Sequence, residues 1–454
     1  MSGATLILVH LSDIHFRQPA HGDGYDLGAP LRDALESSAV AVSREVGAPH
    51  AILVTGDIAF SGKREEYQEA GIWLEKLCAN IGCEPVQVWC VPGNHDVDRQ
   101  VILDDRSMRD ARKNLRECGV TEIDSEIEDY LRGPRVLYGP MEAYNDFAAR
   151  FQCSLTRETP VWQKSFTLND GSELKLHGFN SVLISDDRDN DREHKLILGR
   201  HQYSNLTAQY GVEHMVLCHH PPDWLRERDD VDAALTDGAR IHLLGHKHRQ
   251  RLIRINDALR ISAGAVGPCQ REPQWVPRYN WITVRVDTSS GARAMEVCVF
   301  PKIWNQEAQA FDTDYNSTDA EECRTYRLPL AAFDPRRAIV MPPRGDRGLA
   351  EPVTEREEPT PQDPVVLDDP IMDHARVLAH RYFSLDYVKK MQVADRLGLY
   401  DDSDANLGGV ELFLKHLERA KERGKLRELW DSVESLHGDG RYPDNPYADE
   451  TRKG

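Results

Sequence analysis

The stretch Leu6-Ile7-Leu8-Val9-His10-Leu11-Ser12-Asp13-Ile14-His15 decides how the chain is read. Its first four residues are aliphatic without alternation, the pattern of a strand buried on both faces. Asp13 and His15 stand two apart just past that strand. At such a spacing two side chains can point toward one spot in the crevice at the carboxyl edge of an open α/β sheet, where ligands bind. Aspartate and imidazole there suit a divalent transition metal.

Four further stretches repeat the arrangement. Ala51-Ile52-Leu53-Val54 runs into Thr55-Gly56-Asp57, and Val86 to Val91 into Pro92-Gly93-Asn94-His95-Asp96. Met215-Val216-Leu217-Cys218 runs into His219-His220-Pro221-Pro222, and Ile241-His242-Leu243-Leu244 into Gly245-His246-Lys247-His248. Helical spacings separate the first three strands: Leu31, Leu35, Ala39 and Val42, then Tyr67, Ala70, Leu74 and Leu77. Strands alternating with helices predict an α/β fold with a largely parallel sheet. Taken alone, Asp13 with His15 reads equally well as a strand-end turn with a satisfied histidine. Five metal-type groups, each just after a buried strand, read as one site. A carboxylate, imidazole and amide set of this size can hold two ions, which clamp a phosphoryl group and make hydroxide available near neutral pH.

As a set, Asp-x-His, Gly-Asp, Gly-Asn-His-Asp, His-His-Pro-Pro and Gly-His-x-His resembles the calcineurin-like metallophosphoesterase superfamily, over about residues 5–300. The resemblance implies a four-layer α/β/β/α sandwich with a dimetal site at one edge of the paired sheets. It implies that Asp13, His15 and His248 bind one ion, that Asn94, His219 and His246 bind the other, and that Asp57 bridges. His219 is preferred to His220 because the family pattern places the ligand first. His95 is implied as proton donor to the leaving group or charge stabiliser, with Asp96 orienting it. Manganese, iron and zinc all suit the ligands. Gly56-Asp57 continues Ile58-Ala59-Phe60-Ser61-Gly62, unlike the polar, arginine-bearing continuation of the protein phosphatases. The chain looks more like the bacterial branch of cyclic-nucleotide phosphodiesterases and nucleases. The expected substrate is a cyclic nucleotide or another nucleotide phosphodiester; a single-stranded or terminal nucleic acid is the alternative.

Composition bounds the rest. The 454 residues, 40% hydrophobic, allow one large core with roughly 100 to 150 residues left over. The formal charge of −19 argues against stable binding of duplex DNA. No apolar run reaches the roughly 20 residues of a membrane span, and Met1 to Thr5 lead into a strand without a leader pattern. Nine scattered cysteines with no Cys-x-x-Cys suggest a reducing cytoplasm.

Residues 1–333 are expected to form the catalytic domain, with a helical insertion at about 97–151. An Asp-Gly hairpin is expected between 164–168 and 174–179, a helix over 198–210, and strands over 251–255, 259–262, 281–286, 295–300 and 322–328. Eight prolines between Asp334 and Pro370 mark a linker. Residues 371–437 have helical spacing and form a small bundle, and 438–454 a frayed polar tail. The bundle reads either as a packing appendage or as a module for a protein partner. Stretches such as Val393 to Leu399 resemble the death-fold-like effector-associated adaptors of bacterial conflict systems. Such an adaptor allows a second reading, a signalling scaffold. His10, His50, His177 and His242 read as structural histidines, and Arg17, Arg200 and Arg249 as solvated arginines rather than phosphate ligands. Asp401 to Asn406 reads as a capping loop, because it lacks the glycine and glutamate of a calcium loop.

Overall fold

A computed structural model describes residues 5–448 apart from 18–25, 27, 134, 190–194, 268–274, 290, 339–373, 402, 403, 405, 406 and 408. Two mixed sheets face each other. The first contains β1 (Leu6–Leu11), β2 (Ala51–Val54), β3 (Val88–Cys90), β10 (Arg278–Asp287), β11 (Ala294–Asn305), β12 (Ala310–Thr313) and β13 (Arg324–Pro329). Its order is β12-β11-β10-β1-β2-β3, with β13 also paired to β11. The second contains β4 (Trp162–Thr167), β5 (Glu173–Gly178), β6 (Val212–Cys218), β7 (Ile241–Leu244), β8 (Arg251–Ile255) and β9 (Ala258–Ser262), in the order β4-β5-β6-β7-β9-β8.

Each sheet has a parallel centre, β1-β2-β3 in one and β5-β6-β7-β9 in the other. Antiparallel strands extend both. The single, largely parallel sheet suggested by strand–helix alternation is thus divided in two, as the family resemblance implied. Side-chain alternation builds the layers. Met215, Leu217, Ile241 and Leu243 turn inward to the core between the sheets. Val216, Cys218 and Leu244 turn outward to a second core. Helices α1 (Ala29–Val46) and α2 (Arg64–Ile81) cover the first sheet through Leu35, Ala39, Leu74 and Leu77.

Residues 97–151 form α3 (Arg99–Asp104), α4 (Arg106–Glu117), α5 (Ile123–Leu131) and α6 (Glu142–Ala149). The outer face of the second sheet packs with α4 and α5, α7 (Arg200–Tyr203) and α8 (Arg228–Gly238), through Leu115, Ile127, Tyr203 and Leu235. The helix expected over 198–210 is only the four residues of α7. The Gln202 amide donates to the carbonyl of Asn180, and the amide of Asn180 donates back to its Oε1, so the chain is tied to the end of β5 there. The third strand is shorter than expected, because Pro85 opens a 3-10 turn over Pro85–Gln87.

After α9 (Pro335–Ala338), most of the expected linker lies outside the described residues. Helices α10 (His374–Ser384), α11 (Tyr387–Leu397), α12 (Gly409–Glu422) and α13 (Leu426–His437) follow. Their core of Tyr382, Phe383, Val393, Phe413, Leu429 and Trp430 continues onto Val86 and Ala149 of the sandwich. Residues 438–448 are not frayed. Tyr447 packs against Trp430, and Asn445 donates to the carbonyl of Arg427. The Asp401 to Asn406 loop falls mostly outside the described residues. Among described residues no helix is long and apolar enough to cross a membrane.

Candidate metal centre

The carboxyl ends of β1, β2, β3, β6 and β7 meet at one edge of the two sheets. Backbone hydrogen bonds lace them together. The amides of Asp13 and Ile14 donate to the carbonyls of Gly56 and Asp57, 3.0 and 2.9 Å. The amide of Gly245 donates to His219, 3.0 Å, and that of Val266, past β9, crosses to Ser12, 3.0 Å. Packing is close enough that a Cβ on Gly93 would overlap the carboxylate of Asp57.

All seven ligands named from sequence converge here, in two groups. His248 Nε2 lies 3.1 Å from Asp13 Oδ1, and Asp13, His15 and His248 offer donor atoms within 4.8 Å of one another. Asn94 Oδ1 lies 3.2 Å from His219 Nε2 and 3.1 Å from His246 Nδ1. Asp57 stands between: its Oδ2 is 3.4 Å from His219 Nε2 and 3.9 Å from His15 Nε2. Asp13, His15, Asp57, Asn94 and His219 are buried.

A metal pair fits these residues on two observations. Both ring nitrogens of His15 are buried with no hydrogen-bond partner among described residues, which a ligating nitrogen explains. The donor set of carboxylate, imidazole and amide oxygen is also that of a divalent transition ion. His219 Nδ1 is 2.7 Å from the carbonyl of Thr55. A carbonyl only accepts, so Nδ1 carries the proton and Nε2 turns its lone pair into the site.

The electrostatics agree. Burial alone would raise Asp13 and Asp57, but His248 and His219 respectively outweigh it and hold both carboxyls below the usual range. Burial would depress His219, but Asp57 and Asp13 raise it to about 9, so without an ion Nε2 carries a proton near pH 7 that a bound metal would displace. Burial pushes His15 down to about 4 and His246 to about 3, so both are neutral near pH 7, as ligands must be.

His95 is half-buried. Its amide donates to Asp57 Oδ1, 2.8 Å, and its Nδ1 lies 2.8 Å from the carbonyl of Phe60. The Phe60 ring stacks on it at 5.2 Å, and Arg17 lies 3.8 Å over Phe60. The expected orientation of His95 by Asp96 is corrected. Asp96 points away, accepting from the amides of Gly93, Ile58 and Ala59 and from Tyr67 Oη, at 2.8, 3.2, 2.9 and 2.8 Å. Its carboxylate is used up bracing the loop of Asn94 and His95 to that of Asp57. Burial, then Asp57, raises it to about 6.

His220 is adjacent but differently held. Its Nδ1 bonds Ser181 Oγ at 2.9 Å, and its buried Nε2 has no partner among described residues. Its ring lies 4.4 Å from that of His246. His10, His50, His177 and His242 each bond through a ring nitrogen to Thr55, Ile7, His214 and Leu235, although Nδ1 of His10 and of His242 has no partner among described residues.

Several contributors escaped the sequence reading. Ser12 Oγ donates to Asp13 Oδ2 at 2.5 Å, Thr55 sets the tautomer of His219, Phe60 that of His95, and Trp224 packs on His246 at 4.1 Å. Ser12, Thr55 and Phe60 lie within three residues of a motif, which was the available signal. Trp224 gave none.

Comparison with known proteins agrees with this geometry. The calcineurin-like phosphoesterase family model matches residues 6–250, more than half of the chain. The chain belongs to the calcineurin-like phosphoesterase family. A GTPase-associated adaptor domain model matches residues 375–435. No curated protein matches.

Similar solved structures include a candidate 5'-nucleotidase of Staphylococcus aureus in complex with alpha-ketoglutarate, at 13% identity and TM-score 0.34, covering 72% of this chain. The match takes in only 55% of the length of that protein. GAP50, the anchor in the inner membrane complex of Plasmodium, is 12% identical over 74% of this chain and 93% of its own, with a TM-score of 0.37. Vps29 of Entamoeba histolytica complexed with zinc is 10% identical over 71% of this chain and 99% of its own, with a TM-score of 0.29.

Proposed function

We propose that the chain is a dimetal phosphodiesterase acting on cyclic nucleotides or other nucleotide phosphodiesters in a bacterial cytoplasm. The observation that carries this reading is the convergence of Asp13, His15 and His248, of Asn94, His219 and His246, and of Asp57 between the two groups. Manganese, iron and zinc each suit those ligands. When bound, two such ions clamp a phosphoryl group and make hydroxide available near neutral pH.

The protein's own groups do the rest. Asp13, His15 and His248 hold one ion and Asn94, His219 and His246 the other, with Asp57 shared. The carbonyl of Phe60 accepts from Nδ1 of His95, so the proton for the leaving oxygen comes from Nε2 of the doubly protonated ring, which becomes neutral as it hands that proton over. Asp96 serves by holding the two ligand loops together.

A net charge of −19 favours a small substrate over a long nucleic acid. The eight free cysteines of the described residues fit a reducing compartment. A panel of cyclic nucleotides, dinucleotides and labelled single-stranded oligonucleotides tests the substrate class. Turnover confined to the oligonucleotides would move the assignment to a nuclease. The adaptor match at 375–435 favours one further reading, a scaffold that acts through α10–α13. That reading predicts a partner bound equally well by the chain with Asp57→Ala and by the unaltered chain.

A further inference from the structure

The C-terminal helices meet the phosphoesterase domain along α2 and α6. His380 Nδ1 lies 3.0 Å from the carbonyl of Arg150, and Arg150 Nε donates to Ser384 Oγ at 3.1 Å. Between the two sides is a cavity of about 610 Å³ that the catalytic reading does not use. Its walls carry Arg64 and Arg150 with Glu142 and Asp146 on one side, and Phe383, Tyr387, Lys390 and Phe413 with Asp386 on the other.

Lys390 is the anomaly. It is only 8% exposed, yet its Nζ makes no hydrogen bond or ion pair among described residues. It lies 5.5 and 4.8 Å from the ring centres of Phe383 and Phe413. The charges around it are matched: Arg64 by Glu142 and Asp146, Arg150 by Glu75, and Asp386 by Lys389. Asp386 also caps α11 by accepting from the amide of Lys389. Burial, then Arg150 and Arg64, push the Lys390 ammonium down to about 8, with Asp386 opposing. Ring faces attract a cation, but by only about 0.5 to 2 kcal/mol. A buried charge normally has a counter-ion.

We propose that this cleft binds a small phosphorylated ligand, its phosphate held by Lys390 beside Arg150 and Arg64, its flat portion against Phe383, Phe413 and Tyr387. Phosphate suits the cleft better than carboxylate, since its tetrahedral oxygens can meet the compact, unpaired ammonium and at the same time reach the guanidinium groups of Arg150 and Arg64 beside their carboxylate partners. Tyr387 is 60% exposed, with its ring 5.6 Å from Phe413, and offers a stacking face. Tyr67 lines the same cavity and donates to Asp96, so the cleft lies one side chain from the loop of Asn94 and His95. The proposal does not depend on the metal chemistry.

The test is thermal denaturation of the full chain, treated with chelator, in inorganic phosphate, in AMP, and in acetate at matched ionic strength. Phosphate and AMP raise the midpoint of the unaltered chain in a concentration-dependent way, and AMP acts at a concentration at least about tenfold lower, the gain expected from stacking. Lys390→Met removes the charge and keeps the stem. It loses at least about two thirds of both shifts, and without ligand its midpoint equals or exceeds that of the unaltered chain, because an unpaired buried charge is gone. Lys390→Gln shows the same loss of response, and Lys390→Arg keeps most of it. General stabilisation by phosphate and phosphate bound at the metal centre are both indifferent to position 390. A shift that survives Lys390→Met and Lys390→Gln overturns the proposal. So do a Lys390→Met chain that melts lower without ligand, acetate acting as strongly as phosphate, and AMP no better than phosphate.

Discussion

Asp13, His15, Asp57, His246 and His248 all have positive φ, between 51 and 68°. Non-glycine residues adopt that region at a cost, and such residues cluster at functional sites. Five of the seven proposed ligands carry the cost, so the sandwich holds them in place rather than letting them relax. Two predictions belong to single residues. His95→Ala is expected to keep both ions and the fold while slowing diester hydrolysis at least about a hundredfold, the range for loss of a general acid. Full activity in that variant would remove His95 from the chemistry. Gly93→Ala puts a methyl into the Asp57 carboxylate. Metal analysis of the purified variant should therefore find fewer than two ions per chain, although no ligand has been changed; an unaltered metal content would show that the loops can yield.

At the scale of elements, what could be read in advance followed from periodicity. The largely aliphatic strands β1, β2, β6 and β7 are buried along their length, apart from the first residue of β6. Each ends where a ligand begins, and so the site was legible from the same residues as the strands. Positions fixed by tertiary contacts were not. Strand β12 is four residues, Ala310–Thr313, with one large apolar side chain, Phe311, buried against β11 and Tyr279. Asp96 sits in a motif that suggests a partner for His95, but its neighbours in space are the amide of Gly93, two amides of the Asp57 loop and a tyrosine of α2. The contact between α10 and the sandwich was equally hidden, and it carries a prediction. Burial pushes His380, enclosed there, down to about 3. The unfolded chain, with an ordinary histidine near 6.5, takes up that proton first as the pH falls. The contribution to stability is therefore complete above about pH 6.5 and is lost progressively toward pH 3, at up to about 1.4 kcal/mol per pH unit. Between pH 6.5 and 5 the melting midpoint of the unaltered chain should fall faster than that of His380→Gln. Parallel slopes would mean that His380 is charged in the fold.

Over the whole molecule, each proposed half-site draws on both sheets. Asp13, His15, Asp57 and Asn94 follow strands of the first, and His219, His246 and His248 follow strands of the second. Neither sheet alone supplies a complete set, so the centre exists only when the sandwich is closed. Ions bound across the two sheets would therefore stabilise the closed form by mass action. The most direct measurement takes chelator-treated protein, reloads it with manganese, zinc or iron, and reads metal content and hydrolysis of bis-p-nitrophenyl phosphate together, beside Asp57→Ala. The prediction is two ions per chain and metal-dependent diester turnover faster than that of p-nitrophenyl phosphate, with Asp57→Ala losing an ion and the turnover. Fewer than two ions with every metal, or diester turnover undiminished in Asp57→Ala, would contradict a dinuclear phosphodiesterase.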